Sequence, residues 1–545
     1  MKTLSVLLLT VVPLGASLAA APPTPADPAR IRAHVAFLAD DLLEGRGPGT
    51  RGGKLAENYI AAAFAQMGVA PAGQDGTYFQ KVPLVGVKTQ PSSSLTLRGA
   101  GGSVSPKLLE EMVLFTHAQK ESLDVDADVV FVGYGIEAPE YRWDDFKGVD
   151  VTGKVVVMLV NDPPATATEP DLFKGKALTY YGRWTYKLES ATRHHAKGAI
   201  LLHTDDSAGY GWDVVKNSWS GEQSQNVLSG GETPLVMAGW ISDPTARKVA
   251  ALSGMDVDAL RKAAASRDFR PVPMKIKAQA HLDSALRHFD ARNVIGKIPG
   301  RDPKLADEAV LFGAHADHLG IGAPDESGDT IYNGAVDDAS GVASMLEVAR
   351  TVAADGGWPR AAWFLAVTAE EQGLKGSEWF AAHPLLAPAK MAAYVNLDGG
   401  KPWGEVDDMV LMGAERSPEL DRIARDVATE LKFTIKPDLH PEKGYFYRSD
   451  HFSFAKIGVP CVNIEMGETL RGKPKGAGET LEEEYRTKRY HRPADQLDDR
   501  WDARGLAEYA TTAREIGRRV AGLPAGPTWK AGDEFEAARK RSVAR

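Results

Sequence analysis

The stretch EAVLFGAHADHLG, Glu308 to Gly320, sets an unbroken apolar run against a polar ending. Ala309-Val310-Leu311-Phe312 leaves no position to face water, so it reads as a strand covered on both faces. His315, Asp317 and His318 follow at once. Two later stretches repeat the plan: AAWFLAVTAEE ends in Glu370 and Glu371, and MAAYVNLDGG carries Asp398. Between the first two lies SGVASMLEVARTVAA, with Val342, Met345, Leu346, Ala349 and Val352 at helical spacing. LKGSEWFAAH separates the second from the third, and further helices are expected at Pro418 to Leu431 and Arg504 to Val520. This alternation from Asn293 onward predicts an α/β domain with a largely parallel central sheet flanked by helices.

In such a sheet, ligands gather beyond the carboxyl ends of the strands. The donors of this sequence fall there. Asp337 and Asp338 stand just before the helix at Ser340, and His491 lies in the late loop YHRPADQLD. Each has an ordinary reading alone. Asp338 or Ser340 can cap a helix, Glu370-Glu371 can be a solvated turn, and His491 can be a surface residue. Taken together, oxygen and nitrogen donors converge while sulfur is missing, a mix that suits zinc, with manganese or cobalt as substitutes.

The rest of the chain bounds the reading. At 545 residues it is too long for one ordinary domain, and 43% hydrophobic with 25% charged residues is the composition of a globular protein. A net charge of -9, spread along the chain, argues against nucleic acid or an anionic membrane as partner. MKTLSVLLLTVVPLGASLAA reads as a secretory signal peptide, residues 1–21, which implies export to the periplasm or beyond and no membrane anchor after cleavage. Cys461 is the single cysteine, so no intramolecular disulfide can form, and its setting, Val459 to Ile464, reads as a buried strand. GRGPGTRGG, Gly45 to Gly53, lacks the Lys-Ser/Thr ending of a phosphate loop and reads as a loop packed on the main domain. Short β-rich runs such as DADVVFVGYGI, KVVVMLVND and GAILLHTDD mark a compact β-rich insert. The tail DEFEAARKRSVAR reads as a short charged helix.

In order along the chain, HADH, GAVDDASG, TAEEQGLKGS, NLDG, RSDHFSF and YHRPAD resemble the co-catalytic di-zinc peptidases that include secreted bacterial leucyl aminopeptidases and glutamate carboxypeptidase. The insert resembles the protease-associated domain. The chain then divides into the signal peptide, an N-terminal part of the peptidase domain (22–125), the insert (126–285), the catalytic zinc peptidase domain (286–525) and the charged tail (526–545). The resemblance implies two Zn2+ ions bridged by Asp337, one also held by His315 and Asp398, the other by Glu371 and His491. It implies Glu370 as general base, taking a proton from a water that two ions about 3.5 to 4 Å apart have acidified. Asp317, two residues beyond His315 on an extended backbone, is expected to accept the second ring N–H of that histidine. Relatives stabilise the oxyanion with a tyrosine. Phe446 falls at that position between Tyr445 and Tyr447, and Tyr447 is taken for the role. His318 stays without a committed role.

Peptides are the expected partners, and oligomeric state is left open. The expected activity is aminopeptidase, releasing N-terminal residues. A glutamate carboxypeptidase-like carboxypeptidase or dipeptidase is the alternative; a glutaminyl cyclase or a non-catalytic binding module ranks below both.

Overall fold

The computed structural model describes residues 24–231 and 233–544, so the expected signal peptide lies outside the described residues. The principal strands of the main sheet are β1 (Phe79–Thr89), β2 (Val272–Ile298), β3 (Ala309–His315), β4 (Ala361–Val367), β5 (Met391–Asn396), β6 (Asp408–Met412) and β7 (Cys461–Met466). They lie in the order β1-β2-β4-β3-β5-β7-β6. The four central strands run parallel, and β2 and β6 close the two sides antiparallel.

Every residue of β3, β4 and β5 is buried, because helices cover both faces. The helices used below are α1 (Pro28–Leu38), α2 (Arg51–Gln66), α3 (Gly341–Ala354), α4 (Lys375–Ala382), α5 (Pro418–Glu430), α6 (His451–Lys456) and α7 (Arg504–Ala521). Alternate strand residues go to opposite cores. Val310, Phe312 and Phe364 pack with α1, α2, α3, α5 and α7. Leu311, Trp363 and Leu365 pack with Phe380 of α4, Phe454 of α6 and, from the C-terminal segment, Trp529 and Phe535. Gly517 lets α7 press on the sheet: a Cβ there would come within 2.2 Å of the Phe312 ring. Such close packing makes Phe312→Ala cost about 3–5 kcal/mol.

A second sheet has its own cores. Its strands include Ser94–Gly99, Met112–Phe115, Ser122–Phe131, Val155–Leu159, Gly198–Leu202 and Met237–Ile241. It therefore takes in chain upstream of residue 126, where short strands broken by glycine and proline give little texture. β2 joins the two sheets: up to Asp283 it pairs with Ser122–Phe131, and from Ser284 with β1. The C-terminal segment ends in a helix, Glu536–Val543.

Candidate active site

The carboxyl ends of β3, β4 and β5 open on one crevice. β3 delivers His315 as its last residue, and the chain then leaves the sheet. β4 ends at Val367, and Ala369 turns the backbone at φ +54°, so Glu370 and Glu371 sit on a turn just past the strand. Asp398 lies two residues past β5, Asp337 in the turn ahead of α3, and His491 in the loop ahead of α7.

These side chains meet. His315 Nε2 is 3.0 Å from Asp337 Oδ1 and 3.6 Å from Asp398 Oδ1. His491 Nε2 is 3.2 Å from Asp337 Oδ2 and 3.1 Å from Glu371 Oε2. Asp337 thus turns one oxygen to each histidine. His318 joins as well, with Nδ1 2.5 Å from Glu371 Oε1. Donor atoms of His315, Asp337 and Asp398 lie within 4.8 Å of one another, and so do those of His318, Asp337 and Glu371. His491 sets one nitrogen against both carboxylates of the second group.

Asp317 Oδ2, both ring nitrogens of His318, Glu371 Oε1 and His491 Nε2 are buried with no hydrogen-bond partner. For His318 and His491 the carboxylate oxygens are near, yet no hydrogen bond of good geometry is made to them. Buried polar atoms are normally paired, so metal-competent atoms left close together without partners mark a place where a ligand fits. A divalent cation there would satisfy them, so the residues fit a metal.

The electrostatics agree with the geometry. Burial opposes a charge on His315, yet Asp337 and Asp398 hold its pKa well above the ordinary value. Burial likewise works against His491, but Asp337 and Glu371 raise it to about 10. Burial and Asp337 push the Glu371 carboxyl up, and His318 and His491 overcome both and hold it at about 2. Glu370 goes the other way. Burial raises its carboxyl well above the usual range, His315 opposes, and Asp398, Asp450 and Glu371 add to the rise. Two adjacent glutamates are thereby set apart, one a fixed anion and the other able to carry a proton.

Two expectations need correction. Asp317 serves His315 through its main-chain carbonyl, 3.2 Å from Nδ1, while its carboxylate stands at 3.8 Å. With β3 ending at His315, strand alternation no longer governs where Asp317 points, and Asp317 Oδ1 accepts the Glu370 N–H at 3.1 Å. Tyr447 is engaged elsewhere. Its hydroxyl donates to Glu534 at 2.8 Å, beside Arg416, which is itself paired with Asp533 and Glu534. The oxyanion role assigned to it has no support in this placement.

The sequence reading gives no framing role to Arg46, Asp338 and Asp495, which hold the site together. Arg46, from the glycine-rich loop, is buried and donates to the carbonyls of Leu38, Ala316, Asn333 and Gly334. It ties the loop after β3 to the turn that carries Asp337. Asp338 accepts the N–H groups of His315, Gly341 and Gly399, joining β3, α3 and the end of β5. Asp495 accepts the N–H groups of Val336 and Asp337 at 3.1 and 3.2 Å. Asp495 has a sequence signal as the last residue of YHRPAD, and Asp338, which the sequence offers as a helix cap, has one in GAVDDASG.

Residues 293–516 match the family model described as Peptidase family M28, a span that holds β3 to β7 and every donor above. Among solved structures, the chain is similar to an aminopeptidase from Aneurinibacillus sp. strain AM-1, at 20% identity over 90% of this chain and 93% of that one, with a TM-score of 0.48. It is similar to a zinc aminopeptidase from Bacillus subtilis, at 19% identity over 90% and 95%, TM-score 0.40. A peptidase M28 precursor from Shewanella amazonensis shares 17% identity over 92% and 98%, TM-score 0.39.

Proposed function

We propose that this chain, whose residues 293–516 belong to peptidase family M28, is a di-zinc exopeptidase that releases residues from the free amino terminus of peptides. One observation carries the reading: histidine and carboxylate donors from separate loops meet around Asp337, several of them buried and unpaired. His315, Asp337 and Asp398 would hold one zinc ion, and Asp337, Glu371 and His491 the other. When bound, the ions polarise the scissile carbonyl and bring the ionisation of water near neutral pH.

The remaining work belongs to the protein. Glu370 accepts the proton of the attacking water at its carboxylate and returns it to the nitrogen of the leaving amine. Its raised pKa suits a group that must both take and give. Asp317 fixes this pair of tasks in space, its carbonyl against the His315 ring and its carboxylate on the Glu370 N–H. Asp398, Asp450 and Glu370 set carboxyl groups close together at the site, where their oxygens can accept hydrogen bonds from a substrate ammonium. A carboxypeptidase or dipeptidase is the second reading. Arg448, exposed and close to Asp450 in the chain, shows no ion pair among the described residues and could receive a substrate carboxylate.

We also read residues 126–285 as a protease-associated-like insert and residues 1–21 as an export signal. Among the described residues, no helix is long and apolar enough to cross a membrane. The direction of cleavage is tested by incubating the protein with a peptide mixture, free or acetylated at the N-terminus, and reading the products by mass spectrometry. Stepwise N-terminal shortening of the free set alone is expected. Loss of C-terminal residues from both sets would replace the aminopeptidase reading with the second one.

A further inference from the structure

We infer that His318 is a further donor of the second cation position, so that this position has two imidazoles where the first has one. The inference rests on the di-zinc reading above. His318 is completely buried, and the burial is built in. Its ring lies against Gly334, which has φ +57° and where a Cβ would fall 2.5 Å from His318 Cγ and 2.1 Å from the Asp337 carbonyl oxygen. That glycine is pinned in turn by Arg46.

A neutral imidazole always carries one N–H and one lone pair. Neither nitrogen of His318 has a hydrogen-bond partner. An imidazole that only oriented Glu371 would make a well-formed hydrogen bond across the short Nδ1–Oε1 distance, and none is made. A ring nitrogen of His318, a Glu371 oxygen and an Asp337 oxygen are mutually within 4.8 Å, as ligands of one ion must be. His491 reaches the same two carboxylates from the other side, its ring edge-on to that of His318 with centroids 5.8 Å apart.

The two positions then differ in chemistry. His315 with Asp337 and Asp398 is mostly carboxylate, a set that manganese tolerates. His318 and His491 with Asp337 and Glu371 are balanced toward nitrogen, which favours zinc. The second position is therefore the tighter for zinc and the more selective against manganese.

The test uses the full chain, stripped of metal and titrated with zinc against a chromophoric chelator, for wild type, His318→Ala and His318→Asn. Wild type should take up two equivalents. In either variant one equivalent should weaken by at least about 100-fold, beyond the range typical of outer-shell changes, while the other stays within about threefold. X-ray absorption of zinc-loaded wild type gives an answer that needs no variant: three imidazoles shared over two ions, against two over two without His318. Two equivalents with unchanged variant affinities, or only two imidazoles per ion pair, overturns the role of His318 and leaves the di-zinc reading standing. Wild type that binds no zinc overturns the di-zinc reading and this inference with it.

Discussion

Two clusters of buried charge in this molecule look alike until their hydrogen bonds are followed. In the second sheet's region, Lys187 is buried beside Asp145 and Asp162. Burial drags the lysine down to about 7 and pushes the two carboxyls up to about 7 and 6. By burial and shifted pKa alone, this cluster competes with the crevice at β3. Its polar atoms are all engaged, however. Lys187 donates to the Asn161 carbonyl, Asp145 accepts from the Ile136 N–H and Trp143 Nε1, and Asp162 accepts from the Thr179 N–H and hydroxyl. In the crevice, His318, His491, Glu371 and Asp317 keep atoms with no partner. Perturbed ionisation marks both places, and unsatisfied convergence marks only one. A closed network holds a fold together, and an open one awaits a ligand.

The comparison can be broken from either side. The largest effect belongs to Glu370→Gln, which should lower kcat by about 10²- to 10⁴-fold, the usual span for a lost general base, while the cation content stays as in wild type. Steady-state kinetics with metal analysis checks both halves, and near-wild-type turnover would remove Glu370 from the role. Lys187→Met should do the reverse. The folded variant keeps its kcat but loses about 1–3 kcal/mol of stability in denaturant melts, because the Asn161 carbonyl loses its donor and the two buried carboxyls lose the nearby amine. A variant that loses turnover without losing stability would make the Lys187 cluster functional after all.

The smallest effect is a pH slope. In the metal-free protein, His491 titrates at about 10 against 6.5 when unfolded. A raised folded pKa gives stability that is fully present below about 6.5 and lost as pH climbs through about 10. Bound cations need the unprotonated ring, so the zinc-loaded form lacks this slope. The gap in melting temperature between zinc-loaded and chelator-treated protein should therefore widen from pH 6.5 to pH 10. A narrowing gap would show that His491 does not exchange a proton for a cation.

The donor loops are legible in the sequence because each follows an apolar run that can only be a buried strand, and strand ends are where an α/β sheet leaves room. Contacts made by tertiary structure are not legible. No spacing in GYFYRSDH reveals that Glu534, 87 residues beyond Tyr447, takes its hydroxyl. Strand alternation fails for Asp317 because the strand stops at His315, two residues too soon. Arg46 leaves no trace, since its partners are main-chain carbonyls that any sequence possesses. His318 is visible as a residue but not as a donor, because its geometry depends on Gly334 and Glu371 from other loops.

The central claim is that the open network around Asp337 holds a pair of cations. Elemental analysis of the dialysed protein tests it most directly, with wild type and Asp337→Ala side by side. The account predicts two zinc equivalents per wild-type chain and the loss of both together in the variant. Wild type with none, or a variant that sheds only one, would contradict it.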